Sequence, residues 1–375
     1  MRKRWILLLL AGWAAASCIY PYEAELQSPD HSILVVEGSI ALGGEASLSV
    51  LTMKSLRDSP GGAFSRANVQ RWWVEDDAGT QYRNSSTGGK ISLKSAPAGR
   101  SYKMVMQIDG KTYSTPFQHP LPPPEIKNIS FWADNEWVYA GISLESGAES
   151  SGYAAISIEE IWKFHTIFQA EFDFDPKKGV YVPMEADSPN YHYWCWRHLT
   201  GTTEQVLDYA YNDGKVDDYI FHSFARNDER NHGDYSVKVR VRTLTRDESV
   251  YLKNLQKKKG ESSNLFSPNP GEVPGNIVCE DNPSEQVLGY VSVMDYSTST
   301  AQLDDRFLLK DEYDDSWFQW IPYGMESYYY DNLQWRPVRY YFPDDIEHKM
   351  MGWVERRCVD CTYTGGSTEQ PLFND

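Results

Sequence analysis

Short apolar runs separated by turn residues follow one another from Ile33 onward, and this pattern restricts the fold more than any other feature of the sequence. The dipeptide Asp109-Gly110 lies between the alternating runs Tyr102–Ile108 and Lys111–Ser114. Asp-Gly in that position is the strongest short-range signal of a β-hairpin. A succession of short strands with regular turn signals is typical of a β-sandwich. We therefore predict a small β-sandwich over residues 31–118.

A proline-rich segment, His119–Pro124, follows this predicted sandwich. Proline has no N–H to donate to a strand ladder, and runs of proline favour an extended chain. We predict a linker over residues 119–125 and a second, larger β-rich domain over residues 126–375. The predicted fold class is mainly β, with few helices.

The second domain contains one long alternating segment and one well-signalled helix. Aromatic and polar side chains alternate over residues 156–174, which predicts a strand or hairpin arm with one buried face. Thr245 and Glu248 have the spacing of a capping box, and basic residues precede Gly260. We predict a helix near residues 246–258.

The first residues have the parts of a secretory signal peptide in the expected order. A positively charged start precedes the apolar stretch Trp5–Trp13, and small residues follow it. That stretch is shorter than the roughly 20 apolar residues of a membrane span. Ala15–Cys18 resembles a bacterial lipobox, so we expect residues 1–17 to be a lipoprotein signal peptide. Residues 18–30 would then form a lipidated tether, held to a membrane by acyl chains on Cys18.

The formal net charge of −17 excludes one class of partner. Binding to the phosphate backbone of nucleic acids requires clustered Lys and Arg side chains, whereas this chain has an excess of carboxylates. We therefore expect no nucleic-acid function.

Four cysteines follow Cys18, namely Cys195, Cys279, Cys358 and Cys361. In an exported protein, cysteines more often form disulfide bonds than metal sites. The sequence permits three pairings of these four residues. We expect a structural bond between Cys195 and either Cys358 or Cys361, and the partner of Cys279 stays open.

The candidate metal-binding residues of this sequence have simpler structural explanations, and known catalytic motifs are absent from it. His192, Cys195 and His198 could form a metal site on a helix, but the aromatic residues around them favour a strand, which points them to opposite sides. The acidic clusters lack the spacing of a calcium-binding EF-hand loop. The sequence contains no nucleophile elbow, zinc-protease helix, P-loop or dinucleotide fingerprint. We predict no catalytic residues, no metal and no cofactor.

Residues 313–342 are rich in aromatic side chains and are interrupted by proline, glycine and asparagine. Aromatic rings with polar edges are favoured at binding surfaces, and the alternative is that they fill the core of the second domain. The residues that we predict to form a partner- or ligand-binding surface are Trp317, Trp320, Tyr323, Tyr328, Tyr329, Tyr330 and Trp335.

Two resemblances to known proteins add to these predictions. Gly99–Tyr102 and Asp109–Tyr113 resemble the immunoglobulin-like or carboxypeptidase-regulatory-like modules of surface proteins. The chain as a whole resembles the Bacteroidota outer-membrane lipoproteins known as domain of unknown function 4249. The matching segments are Ile33–Gly38, Cys195-Trp196, the helix after Tyr235–Val237, Leu265–Pro270 with Val273, Gly275–Ile277, Asn282-Pro283 and Leu288–Tyr290, and Arg357–Cys361 with Gly365-Gly366 and Pro371.

The second resemblance implies a cellular location and a class of partner protein. Such proteins accompany TonB-dependent β-barrel transporters, so we expect a non-enzymatic lipoprotein on the exterior of the outer membrane that helps a transporter to capture or admit its substrate. A glycan- or matrix-binding surface adhesin is the alternative. An exported hydrolase is a third possibility, because a catalytic pair of carboxylates needs no local spacing.

Overall fold

The computed structural model describes residues 33–53, 64–84, 89–147, 151–201, 204–210, 212–261, 275–303, 317–341 and 350–374. The predicted signal peptide and tether, with Cys18, lie outside the described residues. The described chain is mainly β, which confirms the predicted fold class. Within these ranges no helix is both long and apolar enough to cross a membrane.

The secondary structure comprises short strands, two α-helices and short 3₁₀ turns in the described residues. The strands are β1 (Ile33–Ala41), β2 (Glu45–Met53), β3 (Phe64–Arg66), β4 (Val69–Asp76), β5 (Gln81–Arg83), β6 (Ile91–Ser92), β7 (Tyr102–Ile108), β8 (Lys111–Ser114), β9 (Glu125–Ala133), β10 (Trp137–Glu145), β11 (Tyr153–His165), β12 (Phe172–Asp175), β13 (Val180–Pro183), β14 (Trp194–Thr200), β15 (Gln205–Asp208), β16 (Lys215–Ala225), β17 (Tyr235–Thr243), β18 (Val278–Cys279), β19 (Val287–Met294), β20 (Ser297–Gln302), β21 (Trp335–Tyr341) and β22 (Met350–Glu355). The α-helices are α1 (Arg246–Glu261) and α2 (Glu326–Asp331), and the 3₁₀ turns are Glu229–Asn231, Arg356–Cys358 and Cys361–Thr364.

The first β-sandwich consists of two sheets that share one core. Sheet 1 has the strand order β19-β1-β2-β3 with β6 beside β2, and sheet 2 has the order β18-β8-β7-β4-β5. Val36 and Val291 of sheet 1 pack in the same cluster as Val74 and Met104 of sheet 2. The predicted hairpin joins β7 to β8, and Asp109 and Gly110 both have positive φ (49° and 81°), as a type I′ turn requires.

Two strands of this first sandwich come from far along the chain. β19 pairs in parallel with β1, from Leu34 opposite Val287 to Ala41 opposite Met294, and β18 pairs with β8. The sequence analysis had placed residues 278–294 in the second domain, so the structure differs from that assignment. The physical reason is that β1 needs a neighbour on the side away from β2, and the pattern of one strand does not identify a distant partner.

The second β-sandwich also has two sheets. Sheet 3 has the order β16-β10-β9, and sheet 4 has the order β14-β11-β17-β20 with β15 also beside β11. Ile142 of β10 and Phe221 of β16 pack in one cluster with Ile156 of β11 and Val239 of β17. β11 ends at His165, so the predicted continuous arm over residues 156–174 is wrong in its length.

The proline-rich segment lies between β8 and β9 and is bonded to the second sandwich. The carbonyl oxygen of Pro122 accepts a 2.6 Å hydrogen bond from Thr243 Oγ1, and that of Pro124 accepts one from Ser297 Oγ. On the other side, Gln118 Nε2 donates to the carbonyl of Val291 in β19, at 3.1 Å. These bonds fix the segment against both sandwiches.

A buried charge network joins the two sandwiches through helix α1. Arg242 of β17 is 2% exposed, and its guanidinium donates to Glu204 at 2.8 and 2.6 Å and to Glu248 of α1 at 2.6 Å. Ser292 of β19 donates to the same carboxylate of Glu248. Burial alone would lower the pKa of Arg242, but the two carboxylates raise it, so the guanidinium stays charged.

Helix α1 confirms the predicted helix and corrects one detail of its N-terminus. The backbone N–H of Glu248 donates to Thr245 Oγ1 at 3.2 Å, as a capping box requires. The Glu248 side chain, however, is 3% exposed and accepts from Arg242 and Ser292. The residue that the sequence assigned to a local cap therefore links the helix to both sandwiches.

We predict that Gly289→Ala destabilises the chain by several kcal/mol. Gly289 has a φ of +104°, and a Cβ there would lie 1.9 Å from the carbonyl oxygen of Val36, so β19 would separate from β1. Gly79→Ala is the matched control, because its φ is +85° but no atom lies within 4 Å of the added Cβ. The control should cost only the strain of a left-handed residue, about 1–2 kcal/mol. The measurement is denaturant unfolding, and equal losses in the two variants would contradict the close approach.

Candidate partner-binding surface

The aromatic segment folds with the chain that follows β11 into a small unit outside the two sandwiches. We call the hairpin β12–β13, residues 317–325, helix α2, the hairpin β21–β22 and the 3₁₀ turn Arg356–Cys358 the aromatic unit. One core cluster of this unit contains Phe174, Ile321, Met351 and Trp353, and Trp353 is fully buried. The alternation over residues 156–174 therefore serves two cores, because Trp162 and Phe164 pack in the second sandwich and Phe174 packs here.

Four of the seven predicted surface residues are exposed. The exposed fraction of the residue is 49% for Trp317, 60% for Trp320, 97% for Tyr323 and 49% for Tyr328. Rings of this size carry a large apolar area, and their indole N–H and phenol O–H groups can hydrogen-bond at a wet interface. This stretch can therefore bind a partner by aromatic contact with a few polar bonds.

The other three predicted residues, Tyr329, Tyr330 and Trp335, are half-buried and pack inside the unit. The ring of Tyr329 meets Trp335 edge-on at 6.2 Å, and the guanidinium of Arg336 lies 3.8 Å from the centre of the Tyr330 ring. Burial, followed by the charge of Asp173, raises the pKa of Tyr330 to about 12. The structure thus separates the predicted set into an exposed group and a packed group.

Two further apolar residues of this stretch were missed by the sequence analysis. Met325 is 41% exposed and Leu333 is 44% exposed, and they lie on either side of helix α2 in the sequence. Aromatic content was the only signal used, and it does not report aliphatic or thioether side chains. We define the exposed aromatic surface as Trp317, Trp320, Tyr323, Met325, Tyr328 and Leu333.

The structure places one disulfide bond between Cys195 of β14 and Cys361, which confirms one of the two pairings expected for Cys195. Cys279 and Cys358 are buried thiols, so their prediction as disulfide residues is wrong within the described residues. Cys279 packs in the core of the first sandwich and Cys358 in the aromatic unit, so neither sulfur can reach the other. Burial raises the pKa of the Cys358 thiol.

We predict that the double variant Cys195→Ala/Cys361→Ala loses about 2–4 kcal/mol of unfolding free energy, because the bond closes a loop across 166 positions. Denaturant unfolding measures the loss. Reductant should destabilise the wild-type protein by the same amount and should not affect the double variant. If reductant still lowered the unfolding free energy of the double variant, a disulfide bond other than Cys195–Cys361 would be responsible.

The three residues considered for a metal site each have another partner. Cys195 is oxidised, His192 Nδ1 lies 3.2 Å from Asp360, and His198 Nε2 lies 2.6 Å from Glu159. In the part of the chain that the structure describes, no group of three or more His, Cys, Asp or Glu side chains could hold a metal ion.

A buried carboxylate lies between the sheets of the second sandwich. Glu160 accepts hydrogen bonds from Arg230 and from the hydroxyl of Tyr235, both at 2.9 Å, and His222 Nε2 lies 3.0 Å away. Burial would raise the pKa of Glu160, but His222 and Arg230 outweigh it and lower the pKa to about 2. Burial, then Glu160, raises the pKa of Tyr235 well above its ordinary value. All these partners belong to the sandwich, so this cluster stabilises the fold.

We predict that Glu160→Gln removes an acid-dependent part of the stability. The pKa of Glu160 is about 2 in the folded chain against 4.5 for a free side chain, so its contribution is complete above pH 4.5 and disappears as the pH falls toward 2. The difference corresponds to about 3 kcal/mol. Unfolding free energies from pH 2 to 7 should show the gap between wild type and variant narrowing in acid. Glu369→Gln, at an exposed position, is the control and should show a constant gap.

Comparison with known proteins gives one match. A family model described as a domain of unknown function (DUF4249) matches residues 19–300. No curated protein matches the chain. The match covers both sandwiches and ends before the exposed aromatic surface.

Proposed function

The chain belongs to the family described as a domain of unknown function (DUF4249), and from this premise we propose that it is a non-enzymatic surface lipoprotein that docks on a TonB-dependent β-barrel transporter. Cys18 would carry the acyl chains that hold it on the outer membrane, facing the exterior. The signal-like N-terminus and the Cys195–Cys361 disulfide bond support an extracytoplasmic location.

The observation that carries the docking proposal is the exposed aromatic surface. Trp320 and Tyr323 expose 60% and 97% of their area within one short stretch. Large exposed aromatic side chains are the residue type that most often supplies binding energy at protein interfaces. The unit that presents them is fixed on its own core, so the rings are available without unfolding a sandwich.

We expect a stoichiometric β-barrel transporter to co-purify with the tagged, full-length lipoprotein after gentle detergent extraction of its own outer membrane. The double variant Trp320→Ala/Tyr323→Ala should retain at least tenfold less barrel, as loss of two interface anchors of about 1–2 kcal/mol each predicts. Mass spectrometry of the captured material measures both results.

Trp137→Ala is the matched control, because Trp137 is 43% exposed but belongs to the second sandwich. It should capture as much barrel as the wild type. A clean monomer in several detergents would overturn the transporter proposal and favour the adhesin. If the double variant captured as much barrel as the wild type, the interface would lie outside the exposed aromatic surface.

A further inference from the structure

A groove on the aromatic unit lies next to the packed group of aromatic residues. It has a volume of about 340 Å³, and Asp173 of β12, Asn190 and Tyr330 of α2 lie on its wall. This volume is at the lower end of the range of small-molecule sites, about 300–1,000 Å³. The groove is thus large enough for one or two sugar rings and too small for a folded partner.

The polar side of the groove is held in a fixed geometry. The carboxylate of Asp173 accepts from Asn190 Nδ2 at 2.7 Å, from the Tyr330 hydroxyl at 3.0 Å and from the backbone N–H of Phe174 at 2.8 Å. Arg336 stacks on the Tyr330 ring and donates to its backbone carbonyl at 2.8 Å. The side chains that face the groove therefore need little ordering when a ligand binds.

These bonds leave a defined set of hydrogen-bonding atoms. A carboxylate has about four lone-pair sites, and three of those of Asp173 are occupied. The Asn190 carboxamide keeps its oxygen and its second N–H, and the Tyr330 oxygen can still accept. Donor and acceptor atoms that lie side by side on the protein suit a ligand with hydroxyl groups, because each hydroxyl group both donates and accepts a hydrogen bond.

Apolar side chains complete the lining of the groove. Val182, the cross-strand partner of Asp173, is 42% exposed, and Pro183 and Pro189 are also exposed. Such surfaces pack against the C–H face of a pyranose ring. Asp173 and Asp175 both line the groove, so an anionic ligand would be repelled.

A smaller recess adjoins the groove behind Asp173 and Tyr330. It has a volume of about 30 Å³, which suits a single water molecule, and Arg336, Arg356 and Asp360 line it. The recess is too small for a sugar ring, so a saccharide in the groove does not extend into it.

We propose that this groove binds a neutral saccharide, with hydroxyl groups on Asp173 and Asn190 and a ring face on Val182 and the prolines. The site is separate from the exposed aromatic surface, and the proposal does not depend on docking to a transporter. Asp173 and Asn190 are positioned to select ligands by hydrogen bonds, whereas the prolines and Val182 supply the contact area.

The test is binding of the purified full-length protein in detergent to an array of neutral, uronate-containing, sulfated and amine-bearing oligosaccharides. Titration calorimetry then follows with the neutral disaccharide that gives the strongest signal. We expect binding to neutral glycans. Asp173→Asn and Asn190→Ala should each weaken it at least tenfold, because the first replaces a charged acceptor with a neutral amide and the second removes a bond to a hydroxyl. Asn190 is exposed, so its variant should fold even where the Asp173 variant does not.

The control is Asp134→Asn on the second sandwich. Asp134 accepts from the Tyr139 hydroxyl at 2.8 Å and from two backbone N–H groups, which resembles the surroundings of Asp173, but it does not line this groove. It should bind the glycan as the wild type does. Binding only to charged oligosaccharides, no binding to any, or equal binding by Asn190→Ala would each overturn the proposal. Because the exposed aromatic surface is intact in all these variants, barrel capture should be unchanged in them.

Discussion

The parallel pairing of β1 with β19 is the constraint on which the rest of the architecture depends. It brings residues 287–294 back to the first strand after all strands of the second sandwich except β20. Only Asp295 and Tyr296 then separate β19 from β20 of the second sandwich. The first sandwich cannot complete sheet 1 without placing the second sandwich directly beside it, so sheet 1 depends on contacts between residues far apart in the sequence.

Charge burial at the junction follows from this constraint. Arg242, Glu248 and Ser292 come from β17, α1 and β19, and they can meet only when both sandwiches are in place. Removing one partner of a buried ion pair costs about 3–5 kcal/mol, so the network penalises any other arrangement of the two units. The Glu248 carboxylate bonds Arg242 and Ser292, so the capping motif of Thr245 and Glu248 also makes contacts between distant parts of the chain.

Local sequence patterns predicted turns and helix starts well, but they did not predict which strands pair across long sequence distances. Asp109-Gly110 determined a hairpin through the backbone preferences of two residues, and Thr245 determined the start of α1. The partner of β1 could not be predicted, since many apolar runs fit the same edge. For the candidate site, aromatic content located a segment with exposed rings but could not distinguish Tyr323, which is 97% exposed, from Tyr330, which packs under Arg336. That difference is decided by the tertiary contacts of each ring.

The position of β1 also determines how the molecule responds to mechanical force. β1 is an inner strand, with β2 on one side and β19 on the other, and the predicted tether enters it at Ile33. A pull from a membrane along this strand must shear two hydrogen-bonded ladders together, whereas an edge strand could be peeled away one bond at a time. Tension applied at the N-terminus is therefore opposed by two ladders at once.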